Sequence, residues 1–174
     1  MTENRAEYRK AAPDAYMAML ALGAAVQHGR LEHSLIELVK MCVLQINGCA
    51  YCLGMHSKDA RAAGESEQRL NLLTAWREAP FYTGRERAAL DWAASVTLAA
   101  IGGVPDALYQ EVRAQFDERS IVELTLAIIA INGWRPGRRF SPRGRPLRGA
   151  TGLSRYRILS AMRREFGGRH VSRK

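Results

Sequence analysis

The stretch QINGCAYCLGMH, residues 45–56, indicates how the sequence around it folds. Asn47 and Gly48 form a turn signal that ends one helical pattern directly before the next one begins. Cys49, Cys52 and His56 then follow at offsets of three and four residues, which place their side chains on one stripe of a helix. The stretch therefore predicts two helices joined by a tight turn, with both cysteines in the first turn of the second helix.

Helical patterns continue on both sides of this turn as far as Trp134. The sequence predicts helices from Pro13 to Gly29, Glu32 to Ile46, Cys49 to Gly64, Ser66 to Pro80, Thr83 through Leu98, Pro105 to Phe116 and Asp117 through Ile131. Strictly alternating runs of β-branched residues do not occur in this part of the sequence. The sequence thus predicts an all-α domain with short loops over residues 1–134.

The cysteine pair has the surroundings of a redox centre. Unpaired N–H groups and the dipole at a helix N-terminus favour an anion, so a thiolate forms there more easily. An imidazole one turn later, that of His56, can accept the thiol proton. Glu37 lies on the preceding helix and can orient this imidazole if the two helices pack antiparallel. We predict that Cys49 and Cys52 are the redox pair, with His56 and Glu37 as their proton-transfer partners.

Other interpretations of these residues remain open at this point. A CxxC is also half of a zinc site, which would need two further ligands, such as His56 with His33 or His28. The sequence contains no second CxxC and no HxxxH, so we expect no metal. Cys42 falls on the apolar side of its helix and is expected in the core. Glu37, taken alone, has the pattern of a solvated surface charge.

The basic charge is confined to the end of the chain. The net charge is +9, but residues 1–134 contain 13 Lys and Arg against 16 Asp and Glu. Residues 135–174 contain 13 basic residues and one acidic residue, Glu165, and 12 of those 40 residues are Arg. The first 134 residues resemble an ordinary, slightly acidic domain, whereas residues 135–174 form a basic low-complexity tail.

The composition also bears on the cellular compartment. Three cysteines do not make the even, regularly spaced framework of a disulfide-rich secreted domain. The first residues, MTENRAEYRK, lack the apolar core of a secretory signal, and no apolar run is long enough for a bilayer. We therefore expect a cytoplasmic protein that makes no membrane contact, in which a CxxC is catalytic or metal-binding more often than structural.

Four stretches of the sequence resemble one known family. They are QINGCAYC at 45–52, MHSKDARAAGE at 55–65, AWREAPFY at 75–82 and LTLAIIAIN at 124–132. Over roughly residues 7–134 the chain resembles the AhpD-like alkylhydroperoxidase branch of the carboxymuconolactone decarboxylase family. The resemblance implies an all-α fold that assembles into trimers or hexamers.

The resemblance also implies an activity, the reduction of organic hydroperoxides through a CxxC disulfide, with no cofactor. By position, Cys52 corresponds to the peroxide-attacking thiol and Cys49 to the resolving thiol, while His56 and Glu37 correspond to the proton relay. A dithiol protein or a small thiol would then reduce the disulfide. The better-studied peroxidases have a histidine inside the CxxC, where this chain has Ala and Tyr. The decarboxylases of the family lack the cysteine pair, so its presence favours redox chemistry.

The tail beyond Trp134 departs from the family. Relatives continue the last helix with text like NxLAVAFR, whereas this chain reads RPGRRFSP at 135–142. Deleting two nucleotides from codons for WNGLAVAFRP can yield WRPGRRFSP, which leads us to interpret residues 135–174 as a frameshifted end. The alternative is a basic arm that binds nucleic acid or an anionic membrane through phosphate contacts. Nucleic-acid binding is expected only through this segment.

Overall fold

The computed structural model describes residues 8–134, and this part of the chain is helical throughout apart from turns and loops. The prediction of an all-α domain is confirmed. In chain order the helices are α1 Tyr8–Ala11, α2 Pro13–Gln27, α3 His33–Ile46, α4 Ala50–Ala62, α5 Glu67–Leu72, α6 Gly84–Thr97, α7 Ala99–Gly102, α8 Asp106–Arg113 and α9 Glu118–Gly133. The predicted tail, 135–174, lies outside the described residues.

The predicted helix starts are confirmed by their caps. The Ser66 hydroxyl accepts a hydrogen bond from the Arg69 N–H at the start of α5, and the Asp117 carboxylate accepts one from the Ser120 N–H at α9. At α6, Thr83 and Glu86 form a complete capping box. Each of these side chains satisfies a backbone donor that the first helical turn leaves without a partner.

The predicted helix from Ser66 to Pro80 is wrong in length. α5 ends at Leu72, and a 3₁₀ turn, Leu73–Ala75, follows it. The guanidinium of Arg87 on α6 donates hydrogen bonds to four backbone carbonyls of the stretch that follows, those of Trp76, Arg77, Ala79 and Tyr82. This stretch is therefore held against α6 by a side chain.

The predicted helix from Thr83 through Leu98 is confirmed, because Leu98 is the C-cap residue of α6 and donates its backbone N–H to Ala94. α6 stops at Thr97, where Leu98 adopts φ −102° and ψ 16° and leaves regular helical geometry. The short α7 follows directly and ends at Gly102. Its C-cap residue, Gly103, has a φ of 68°, in the left-handed region that glycine tolerates best. No separate sequence pattern indicates α7.

Helix α3 forms the centre of the domain and packs against α4, α6 and α9. Every residue of α3 from Leu35 to Leu44 is buried, including two charged residues, Glu37 and Lys40. A helix that is buried all round must supply partners for such charges from its neighbours. None of the helices among residues 8–134 is long and apolar enough to span a membrane.

Candidate active site

The turn between α3 and α4 positions the cysteine pair. Gly48 adopts φ 61°, a left-handed backbone conformation that residues with a Cβ atom rarely adopt. The glycine therefore allows the chain to reverse. The Asn47 side-chain amide donates a 2.6 Å hydrogen bond to Asn132 of α9, whose own amide donates to Thr97 of α6 at 3.2 Å. The turn is thereby fixed to two neighbouring helices.

Cys49 and Cys52 form a disulfide at the N-terminus of α4. Cys49 is the N-cap residue, and Cys52 lies in the first turn with a Cα–Cα separation of 5.4 Å between them. Cys52 is 3% exposed, whereas Cys49 is half-buried and packs against the edge of the core. The disulfide therefore presents Cys49 toward solvent and Cys52 toward the protein interior.

His56 lies one helical turn after Cys52 on the same face of α4 and is 1% exposed. Its Nδ1 atom is 3.5 Å from Glu37 Oε2 on α3 and 3.5 Å from Asp59 Oδ2 on its own helix. Two carboxylates thus face the same ring nitrogen, which favours a proton on Nδ1 and leaves Nε2 as the basic nitrogen.

Glu37 is buried, so its interpretation as a solvated surface charge is wrong. Its Oε1 atom accepts hydrogen bonds from Lys40 Nζ at 2.7 Å and from Gln27 Nε2 of α2 at 3.4 Å. His33 Nε2 is 3.8 Å from the same oxygen. With His56 of α4, the carboxylate is therefore surrounded by nitrogen atoms from three helices.

The ionised form of Glu37 is strongly favoured. Burial opposes ionisation, but the close approach of His56 Nδ1 and the positive charge of Lys40 outweigh it and lower the pKa of Glu37 to about 2. At neutral pH the Glu37 carboxylate is thus a fixed anion next to the imidazole. It can orient the ring without exchanging a proton with it.

The structure brings together the four residues that the sequence singled out. Cys49 is bonded to Cys52, and His56 lies one turn after Cys52 on α4. The imidazole of His56 in turn contacts Glu37 on α3. The structure also adds Lys40, Gln27 and Asp59, which the sequence analysis did not assign. The spacing of three residues between His56 and Asp59 could have indicated Asp59, because such pairs are neighbours on a helix.

A metal site built on the cysteines does not match this geometry. Among the described residues, the group with ligand-like spacing is Glu37, His56 and Asp59, whose ligand atoms lie within 4.8 Å of one another and which includes neither cysteine. The Lys40 ammonium contacts one of these carboxylates and would repel a cation there. The arrangement is better suited to moving a proton than to holding a metal ion.

The remaining cysteine, Cys42, is 4% exposed among apolar residues of α3, as predicted. Burial raises the pKa of its thiol to about 11. A thiol that stays protonated and enclosed is a poor nucleophile, so Cys42 serves as an internal reference for the reactivity of the other two cysteines.

Comparison with known proteins agrees with this architecture. Residues 12–95 match the carboxymuconolactone decarboxylase family. The uncharacterized protein YdfG of Bacillus subtilis is 41% identical over 130 residues, which cover 75% of this chain and 88% of YdfG.

Two solved structures share the fold. An Agrobacterium tumefaciens protein of unknown function, described as a candidate AhpD antioxidant defence protein, is 47% identical, with a TM-score of 0.71 over 76% of this chain and 90% of its own. The debrominase Bmp8 has a TM-score of 0.61 over 73% of this chain and 70% of its own. At 19% identity, the likeness to Bmp8 shows the fold alone. Together these relatives show that the chain belongs to the carboxymuconolactone decarboxylase family and has the AhpD-like fold.

Proposed function

We propose that this protein is a thiol-dependent peroxidase that reduces organic hydroperoxides through a Cys49–Cys52 disulfide cycle. The observation that supports this most directly is the disulfide at the N-terminus of α4, one turn from the buried His56 and its carboxylate partners. A thiolate, a base and an orienting anion are the groups that such a reaction needs.

The cycle begins with proton transfer from the Cys52 thiol to His56. The Cys52 thiolate attacks the terminal peroxide oxygen, the one that carries the hydrogen, and the O–O bond breaks. The alkoxide leaves as an alcohol after taking up a proton, while Cys52 becomes a sulfenic acid. Cys49 then attacks the Cys52 sulfur, which forms the disulfide and releases water. A dithiol protein or a small thiol reduces the disulfide by exchange, and these steps require no metal or organic cofactor.

We assign Cys52 as the attacking thiol, although it is the more buried cysteine of the pair in the disulfide form. Its place next to His56 favours it, since the base lies one turn away on the same helix face. Cys49 is half-buried and more accessible, which suits the resolving thiol and later exchange with an external reductant.

The experiment that tests the function is a thiol count and intact mass on the reduced protein, before and after limited organic hydroperoxide. We expect the wild type to lose two thiols and two hydrogens while Cys42 stays reduced. Cys49→Ser should stop at a sulfenic acid on Cys52, and Cys52→Ser should show no change. Unchanged thiols in folded wild-type protein would reject the peroxidase, and a sulfenic acid on Cys49 in Cys52→Ser would reverse the two roles.

The family also contains decarboxylases, so a carboxymuconolactone-decarboxylase-type reaction on a lactone acid is the second candidate function. The two candidates differ in their need for the cysteines. Turnover of a lactone acid by the double variant Cys49→Ser/Cys52→Ser would favour the decarboxylase. A third candidate, nucleic-acid binding through residues 135–174, would show a steep salt dependence that disappears when those residues are deleted.

We further propose that the protein forms a homo-oligomer, a trimer or a hexamer, and works in the cytosol. Three apolar side chains at helical spacing on α9 support self-association, with exposed fractions of 52% at Val122, 37% at Leu126 and 48% at Ile129.

The double variant Val122→Asp/Ile129→Asp is expected to shift the protein to a smaller species, because burying two carboxylates without partners is costly. Sedimentation velocity or light scattering would measure the change. Glu111→Gln, an exposed substitution on α8, is the control. An unchanged oligomer in the folded double variant would show that this face of α9 is not the interface.

A further inference from the structure

The imidazole of His56 has two carboxylate partners, and they differ in their own surroundings. Glu37 reaches Nδ1 from α3, and Asp59 reaches the same atom from one turn further along α4, both at 3.5 Å. The Asp59 side chain is 19% exposed and the Glu37 side chain 3%. The relay that the family resemblance implies includes Glu37 but assigns no role to Asp59.

The two carboxylates also differ in whether a lysine lies beside them. Lys40 lies 2.7 Å from Glu37 Oε1, and both side chains are buried, so the lysine offsets part of the negative charge that Glu37 Oε2 presents to the imidazole. Among residues 8–134, the one cationic or imidazole side chain that the structure places within 4 Å of the Asp59 carboxylate is His56 itself. Asp59 is therefore the carboxylate whose negative charge is not already balanced by a lysine.

The other groups around the relay do not change this balance. On α3, His33 lies against Glu37 and is mostly exposed, and Gln27 of α2 is a neutral donor to the same carboxylate. On α4, the titratable group one turn before His56 is Cys52, which bears no charge in the disulfide. When Cys52 is reduced and ionised, its negative charge also favours the protonated imidazole.

We propose that Asp59, whose carboxylate no lysine or arginine contacts among the described residues, is a positioning residue that stabilises the protonated form of His56, while the Glu37–Lys40 pair fixes the orientation of the ring. This inference rests on the proposed function, in which the Cys52 thiol and the neutral imidazole become a thiolate and an imidazolium. The proton moves from sulfur to nitrogen and no electrons are exchanged. The negative charge of Asp59 favours the ion pair over the neutral pair.

The direct test is an NMR titration of the His56 ring in ¹⁵N-histidine-labelled, disulfide-bonded protein. In Asp59→Asn we expect the midpoint of the His56 titration to fall by about one pH unit or more, which is the usual effect of losing an opposite charge at this distance. Asp59→Glu should restore much of the shift, and the exposed control Glu111→Gln should leave the midpoint unchanged. An Asp59→Asn midpoint equal to that of the wild type would overturn the proposal, and Asp59→Ala offers a second variant should Asp59→Asn not fold.

A second readout connects Asp59 to the thiol. In the Cys49→Ser background, we expect Asp59→Asn to raise the pH at which Cys52 alkylation by iodoacetamide reaches half its maximal rate. An unchanged alkylation profile would overturn the link to Cys52.

The two proposals can fail separately. A shifted His56 midpoint in a protein that does not reduce hydroperoxides would support the role of Asp59 and reject the peroxidase. An unshifted midpoint in an active peroxidase would reject the role of Asp59 and leave the proposed function in place.

Discussion

Replacing His56 with glutamine is expected to slow the oxidation of Cys52 by hydroperoxide by about 10²–10³-fold, within the range that a positioned general base contributes. Glutamine is close to histidine in reach and keeps an N–H donor for the two carboxylates that face Nδ1. It cannot accept the thiol proton, so the thiolate must form without its neighbouring base. A single-turnover measurement of thiol loss against time, at several hydroperoxide concentrations, gives the rate constant.

His28→Gln is the matched control for this substitution, because His28 is exposed at the end of α2. We expect the control to keep the wild-type rate. The pH dependence adds a second criterion, since the rate in His56→Gln should rise with pH as the thiol ionises into solvent without assistance. Equal rates for wild type and a folded His56→Gln variant would show that the imidazole takes no part in forming the thiolate.

The fold was largely predictable because its signals are local. The caps at Ser66, Thr83 and Asp117 and the turn at Asn47 and Gly48 depend on a few neighbouring residues, and the structure has them where the sequence placed them. The conformation of the chain after α5 was not predictable in this way. It depends on Arg87, a residue of the next helix, and its hydrogen bonds to the carbonyls of that stretch.

The candidate site, like the fold, was predictable only where its residues are related by local spacing. The stripe of Cys49, Cys52 and His56 follows from spacing on one helix, and the position of Asp59 three residues after His56 follows from the same spacing. The environment of Glu37 depends on how α2, α3 and α4 pack together. A pattern within one helix cannot show that Lys40 and Gln27 both reach the same oxygen, or that the carboxylate is buried at all.

Glu37→Gln is expected to lower the free energy of unfolding by about 3 kcal/mol at pH 7. The pKa of Glu37 lies near 2 in the folded protein against an ordinary value of 4.5, and a shift of this size corresponds to roughly that free energy. The variant also leaves the ammonium of Lys40 buried without its anion. Urea unfolding of the disulfide-bonded protein, followed by circular dichroism, measures the difference.

The pH dependence of this difference identifies its origin. Because the folded-state pKa is lowered, the stabilisation by Glu37 is complete above about pH 4.5 and is lost as the pH falls toward 2. The gap in stability between wild type and Glu37→Gln should therefore narrow over that range, whereas the exposed control Glu111→Gln should match the wild type throughout. A gap that stays constant from pH 7 to pH 2.5 would mean that packing, and not charge, makes Glu37 important.

A double variant separates the ion pair from its burial. Lys40→Met alone should be strongly destabilising, because it leaves the ionised Glu37 in the interior with fewer donors. Glu37→Gln/Lys40→Met should cost clearly less than the two single effects added together, since neither charge remains buried without its partner. If the effects simply add, the two side chains act independently. Lys40 would then not offset the charge of Glu37, and the distinction between Glu37 and Asp59 as partners of His56 would be wrong.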